Sequence, residues 1–474
     1  MLFPTVTFAV FFAVVLPVSW LLMPRPALWQ PFIILASYVF YAWWDWRFVF
    51  LLAASTIVNY VAAAGIHRST RRAARRAFLV VGVGFDLGVL AYFKYAGFLV
   101  ASAENLAQRM GLGSTSSVVD VVLPVGISFY TFMAISYVVD TYRGSLEPAP
   151  FVRFATYLSF FPHLVAGPIV RGSELLPQLE RPRDPWRVNT SRAFFLILTG
   201  LFLKVVIANH LASHIVDDVF AAPERHSSLE VLVAVYAYAT QIFADFCGYT
   251  NIAIGIALLL GFEFPQNFNA PYTAVSLQDF WRRWHMTLSR WLRDYLYIPL
   301  GGSRRGRLLT YRNLLLTMLL GGLWHGAAWT FVAWGGIHGA GLAWERLLRD
   351  RRAAAGKPEP SGSVRLWTGR VITFHIVCLG WIFFRADSFG RAGQLIERLF
   401  TAWGQPSPLV STSVLLAILV GVGGQYIRPG VLSAVLGGFQ RLPRAGQAAC
   451  LAAGLVVVDA LGPPGVAPFI YFRF

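Results

Sequence analysis

Long apolar runs separated by short basic tracts set the pattern of this chain. Runs of spanning length lie at 2–22, 28–44, 48–66, 77–99, 118–139, 193–208, 229–246, 249–262, 308–345, 371–384, 408–427 and 446–461. A bilayer core takes about 20 apolar residues of helix, so the pattern predicts an all-α polytopic membrane protein. Runs that are short or broken by glycine, 160–170 (FFPHLVAGPIV) and 249–262 among them, are expected to be re-entrant, which is tolerable only where protein or a water-filled cavity covers the backbone. The loop at 67–76 holds Arg68, Arg71, Arg72, Arg75 and Arg76 and is expected on the cytoplasmic side. Counting spans from it puts both termini outside, together with the acidic loop 209–230. No tandem repeat is evident, and 1–474 reads as a single membrane domain.

One stretch breaks the pattern: 276–302, SLQDFWRRWHMTLSRWLRDYLYIPLGG. At helical spacing Trp281, Trp284, His285, Leu288, Trp291 and Tyr295 share one face, and Arg282, Arg283, Arg290 and Arg293 the other. This predicts one continuous amphipathic helix at a membrane boundary, aromatic face inward, ended by Pro299, Gly301 and Gly302. His285 sits in the aromatic stripe, where an imidazole serves packing as readily as chemistry. The arginines suit ligand phosphates or anionic lipid, at about 1 kcal/mol for each lipid contact. A second histidine, His325, lies in LLGGLWHGAAWTFVAWGGIHG, where small residues let helices approach closely. A neutral imidazole sealed there is fit to act as a general base near pH 7.

Composition narrows the class. The chain has 474 residues, 56% hydrophobic and 13% charged, against about 25% charged in a soluble domain, and a mean hydropathy of +0.57. The formal charge of +17 is spread over short tracts between apolar runs, the mark of cytoplasmic loops and not of a nucleic-acid surface. Cys247, Cys378 and Cys450 show no metal or disulfide spacing, and no His/Asp/Glu cluster suggests a metal site. Neither a GxSxG elbow nor a phosphate-binding glycine loop is present. His210, His214 and His226 are expected in an exterior loop, and His163, His338 and His375 have no assigned partner.

The run from Asp245 to Arg304 (DFCGYTNIAIGIALLLGFEFPQNFNAPYTAVSLQDFWRRWHMTLSRWLRDYLYIPLGGSR) and that from Gly321 to Gly339 (GGLWHGAAWTFVAWGGIHG) closely resemble the membrane-bound O-acyltransferase family, in particular its bacterial alginate O-acetyltransferase branch. LPVGISFYTFMAISYVVDTYRG, FPHLVAGPIVR and WIFFRA fit the same branch. The similarity spans nearly the whole chain, with its core motifs in 120–345. It implies a ring of tilted helices, with re-entrant and amphipathic pieces, around a central tunnel open to the cytoplasm for the acyl donor. His325 matches the family's near-invariant histidine and His285 its second polar position, so both are expected to be catalytic, with Trp281, Trp284 and Trp324 lining the tunnel. The implied donor is acetyl-CoA, a substrate and not a bound cofactor, with Arg282, Arg283, Arg290 and Arg293 as candidates for its phosphates. The implied acceptor side comprises Tyr471, in the terminal PFIYFRF, as transient acyl carrier, an extracytoplasmic SGNH-type partner and a surface polysaccharide. Tyr471 is equally placed to be an interfacial anchor. The competing expectations are a polytopic transporter and a same-family enzyme acting directly on lipid or protein.

Overall fold

The computed structural model describes residues 1–111, 121–358, 361–463 and 470, leaving aside the side chain of Pro429. Among these the regular structure is helical throughout. Among the described residues six helices are long and apolar enough to cross a bilayer: Arg47–Arg68, Arg72–Arg109, Thr190–Ala221, Ser228–Leu259, Ser363–Arg385 and Arg444–Leu461. The pair Thr412–Tyr426 and Gly430–Arg441, bent by 96°, would make a seventh, and Val6–Leu22 and Pro26–Ala42 are apolar but shorter. The protein is therefore a multi-pass membrane protein. The described chain groups into two compact units, Met1–Asn189 with Ile256–Pro265, and Thr190–Gly255 with Gln266–Phe474.

In the first unit the helix starts follow local chemistry. The Thr5 hydroxyl accepts from Phe8 N at 3.2 Å to cap Val6–Leu22, and Pro26 opens Pro26–Ala42, where a missing N–H costs nothing. Asn59 and Ser55 donate to the buried Asp86 carboxylate at 3.0 and 3.1 Å, tying together the helices Arg47–Arg68 and Arg72–Arg109. Residues 160–170 are buried throughout, with one short helix, Phe161–Leu164. His163 Nε2 donates to Tyr157 O at 2.9 Å and its ring lies on Phe264 at 5.3 Å, so it is a core histidine.

In the second unit three expectations are corrected. The run 249–262 is not a separate re-entrant piece: Ser228–Leu259 is a single 32-residue helix, about 48 Å long at 1.5 Å per residue. Gly248, between the runs 229–246 and 249–262, is a point of contact. A Cβ on Gly248 would stand 2.7 Å from Gly200 O, and one on Gly200 2.6 Å from Gly248 O, so two helices touch backbone to backbone there. The loop expected at 209–230 is helical as far as Ala221. His210 and His214 are on that helix with rings 3.9 Å apart, because a further turn keeps the backbone hydrogen bonds that a loop would give up.

The third correction concerns 276–302, which is not one helix. It consists of Leu277–Arg283, an interruption at Trp284 and His285, Met286–Leu292, and a widened turn over Arg293–Tyr297. Residues 267–269 supply the bonds a continuous helix would have made: Asn269 N donates to Arg283 O and Met286 N donates to Asn267 O, both at 2.9 Å.

Candidate functional site

The site is built from this interrupted segment and from a tight helical hairpin, Arg307–His325 with Trp329–Ala354. Glycine makes the hairpin possible. A Cβ on Gly322 would stand 2.2 Å from Phe331 O and one on Gly335 2.3 Å from Met318 O, so any larger residue would push the helices apart. His325 ends the first helix and is 3% exposed. Its ring centroid lies 5.0 Å from Trp324, 5.0 Å from Trp334 and 5.3 Å from Phe384.

His285 is fully buried and has φ +41°, a left-handed conformation that costs a residue with a Cβ about 1–2 kcal/mol. Asn267 holds it there. Asn267 Oδ1 accepts from His285 Nδ1 at 3.2 Å, from Thr287 N at 3.2 Å and from the Thr287 hydroxyl at 2.9 Å. With Nδ1 donating, the neutral ring carries its lone pair on Nε2. His285 lies outside the six candidate spans, and burial pushes its imidazole down to about 3, so the ring is neutral at pH 7. The indole of Trp324 joins the two histidines, with His285 at 6.2 Å and His325 at 5.0 Å.

A cavity of about 520 Å³ opens beside this cluster, lined by Trp281, Arg282, Arg290, Arg293, Arg346 and Arg349 among others. The carboxylate in its lining, Glu345, accepts from Leu277 N at 2.6 Å and Gln278 N at 3.1 Å. It caps the incoming helix, and the cavity stays strongly cationic. Such a concave basic surface draws in polyanions, and guanidinium groups match phosphate in geometry.

The structure thus brings together His285, Trp324 and His325, and separately gathers Trp281, Arg282, Arg290 and Arg293 around the cavity. Arg283 is not in that lining; its Nε donates to Asp279 at 2.8 Å. Trp284 does not line it either, being 1% exposed and packed 5.0 Å from both Phe268 and Trp381. Tyr471 lies outside the described residues. Its neighbour Ile470 donates its N–H to Asp245 Oδ2 at 2.8 Å, and Asp245 is ion-paired with Lys204, both buried.

Asn267 escaped the sequence reading and carried no signal, since its partners are 18 and 20 residues away. His338, left there without a partner, had a signal: it follows Trp334 by four residues in the tract that holds His325, the spacing of one helix face.

Comparison with known proteins places the similarity over most of the chain, up to residue 384 for the family model. The model of the membrane-bound O-acyltransferase family matches residues 46–384, which include His285, His325 and the cavity. The probable alginate O-acetylase of Pseudomonas aeruginosa is 43% identical over 379 residues, covering 78% of this chain and 69% of that protein. The peptidoglycan O-acetyltransferase of Helicobacter pylori is 37% identical over 399 residues, 78% and 73% of the two chains. The teichoic acid D-alanyltransferase of Bacillus subtilis is 28% identical over 276 residues, 56% and 69% of the two chains.

Proposed function

Since the chain belongs to the membrane-bound O-acyltransferase family and is an O-acyltransferase, we propose that it takes an acetyl group from cytoplasmic acetyl-CoA and passes it across the membrane for O-acetylation of a cell-surface polysaccharide. Names of its relatives, an alginate O-acetylase and a peptidoglycan O-acetyltransferase, support the acceptor class. The observation that carries the reading is the arginine-lined cavity within the same unit as two buried histidines that share the Trp324 ring.

In the reaction a hydroxyl oxygen attacks the thioester carbonyl carbon. His325 accepts the hydroxyl proton, the C–S bond breaks, and the thiolate takes the proton back to leave as free thiol. His285, whose one N–H is taken by Asn267, orients the donor by accepting a hydrogen bond from it at Nε2, and Arg282, Arg290 and Arg293 hold the donor's phosphates. Only the small acetyl group traverses the membrane; the donor remains cytoplasmic. Tyr471 is the transient acceptor at an outward-facing C-terminus, the N-terminus being outside as well, and an extracytoplasmic SGNH-type partner completes transfer to the polysaccharide. The hydrogen bond from Ile470 to buried Asp245 supports this role, because it anchors the residue next to Tyr471. Both compact units serve as one membrane domain in this reading.

Membranes with wild-type or His325→Ala protein, incubated with labelled acetyl-CoA, test the proposal. Wild-type protein transfers label, with Tyr471 as the labelled residue, and the variant reaches the membrane folded but transfers less than one hundredth as much, the order expected for loss of a general base. Full transfer by the variant refutes the role of His325; label on another residue refutes that of Tyr471.

A further inference from the structure

Behind the arginine-lined cavity, three side chains carry buried polar atoms with no hydrogen-bond partner among the described residues: both ring nitrogens of His338, and the indole nitrogens of Trp281 and Trp334. They form one patch. The His338 ring is 5.3 Å from Trp281 and 4.9 Å from Trp334, and the two indoles are 5.7 Å apart. His338 is fully buried, with Phe280 stacked on it at 6.0 Å. Gly380 leaves room for it: a Cβ there would stand 3.0 Å from His338 Nε2. Buried polar atoms are almost always satisfied, and here four unsatisfied ones lie in three touching side chains.

The position of the patch is as informative as its chemistry. Trp281 also lines the cavity, while Trp334 also touches His325 at 5.0 Å. The patch therefore lies along the line of contacts from the cavity to the proposed base. Each indole offers one donor, and a neutral imidazole offers one donor and one acceptor. Three donors and one acceptor complement a secondary amide, whose carbonyl accepts two bonds and whose N–H gives one, with a donor left for an adjacent carbonyl.

We propose that His338, with Trp281 and Trp334, is a subsite for a secondary amide in the arm of the acyl donor, and that it sets how far the thioester carbonyl reaches toward His325. This deepens the reading of acetyl-CoA as donor and rests on it, since the arm of that molecule carries two such amides. His338 is here a positioning residue. It acts on where the donor sits, not on the proton transfer.

The test compares wild-type, His338→Leu and His338→Gln proteins, purified in detergent and checked for monodispersity. Isothermal calorimetry with pantetheine measures binding without turnover, and kinetics use acetyl-CoA and S-butyl thioacetate, a thioester with no amide. Expected results are pantetheine affinity at least tenfold weaker in His338→Leu and recovered to within threefold in His338→Gln, which keeps a donor and an acceptor. The KM for acetyl-CoA rises at least tenfold in His338→Leu and kcat falls with it, because the thioester is no longer held toward His325, while turnover of S-butyl thioacetate stays within twofold. Equal pantetheine affinity in all three proteins, or no measurable binding to wild type, overturns the subsite even if acetyl transfer stands. Equal loss on both thioesters in a monodisperse variant also overturns it. Wild-type protein that binds pantetheine through His338 but does not use acetyl-CoA refutes the donor reading and leaves the subsite.

Discussion

Replacing His285 by alanine and by glycine separates the two demands made on this position. His285 sits at φ +41° and ψ +54° between two seven-residue helices, a conformation that glycine adopts freely and that costs a residue with a Cβ about 1–2 kcal/mol. Both replacements remove the same ring, with its bond to Asn267 at 3.2 Å and its edge contact with Phe246 at 4.6 Å. Their difference therefore isolates the backbone. His285→Gly is expected to be more stable than His285→Ala by about 1 kcal/mol, the strain being offset in part by glycine's larger loss of chain entropy on folding. Unfolding in mixed micelles of mild detergent and SDS reads this as a shift in midpoint. Acetyl transfer is expected to fall at least tenfold in both variants, since neither restores an imidazole. Equal stability of the two, or alanine the more stable, would refute the claim that the conformation is strained. Normal transfer by His285→Gly would refute the claim that the strain is retained for the ring.

Four other perturbations follow from the same geometry. Asn267→Ala removes the acceptor of three bonds and leaves buried donors on His285 and Thr287, at about 1–3 kcal/mol for each unsatisfied group; a melting point unchanged from wild type would contradict this. Asn267→Asp puts a carboxylate beside Nδ1, which favours the imidazolium. The folded-state value of His285 then rises from about 3, and transfer is expected to decline as pH falls through the new value, which a pH–rate profile compares with wild type. Gly335→Ala forces a Cβ to within 2.3 Å of Met318 O and is expected to destabilise by about 1–3 kcal/mol, with loss of transfer; a normal melting curve would show that the hairpin yields. Arg282→Ala with Arg349→Ala removes two cavity cations, and the KM for acetyl-CoA should rise about tenfold at low ionic strength and less in 0.5 M salt, because screening weakens the wild-type advantage.

The helices were legible in the chain wherever burial is one-sided or complete over a long run, since spacing and length then carry the signal. Thus 48–66 and 371–384 correspond to helices Arg47–Arg68 and Ser363–Arg385. The run at 249–262 misled because it is short and because the arginines after it were expected on the cytoplasmic side; only tertiary contact shows that Gly248 meets Gly200. His325 could be singled out because an imidazole amid glycine and alanine is anomalous. The interruption at 284–285 was hidden for a different reason. Its periodicity is truly helical, and the competing hydrogen bonds come from 267–269, which no local window joins to it.

That interruption also explains how one aromatic stripe serves several ends. A continuous helix would hold Trp281, Trp284 and His285 on a single face, presented to one neighbour. With the turn opened and His285 in the left-handed region, the three rings find different surroundings: Trp281 reaches the cavity and His338, Trp284 enters the core against Trp381, and His285 meets Trp324. Breaking a helix inside apolar surroundings exposes backbone groups that must find partners, and Asn267 and Asn269 supply them from within the same unit. The broken turn and the glycine-tight hairpin are therefore complementary requirements. The first aims His285 at Trp324, the second brings Trp324 and His325 within reach, and weakening either should separate the two imidazoles without touching them.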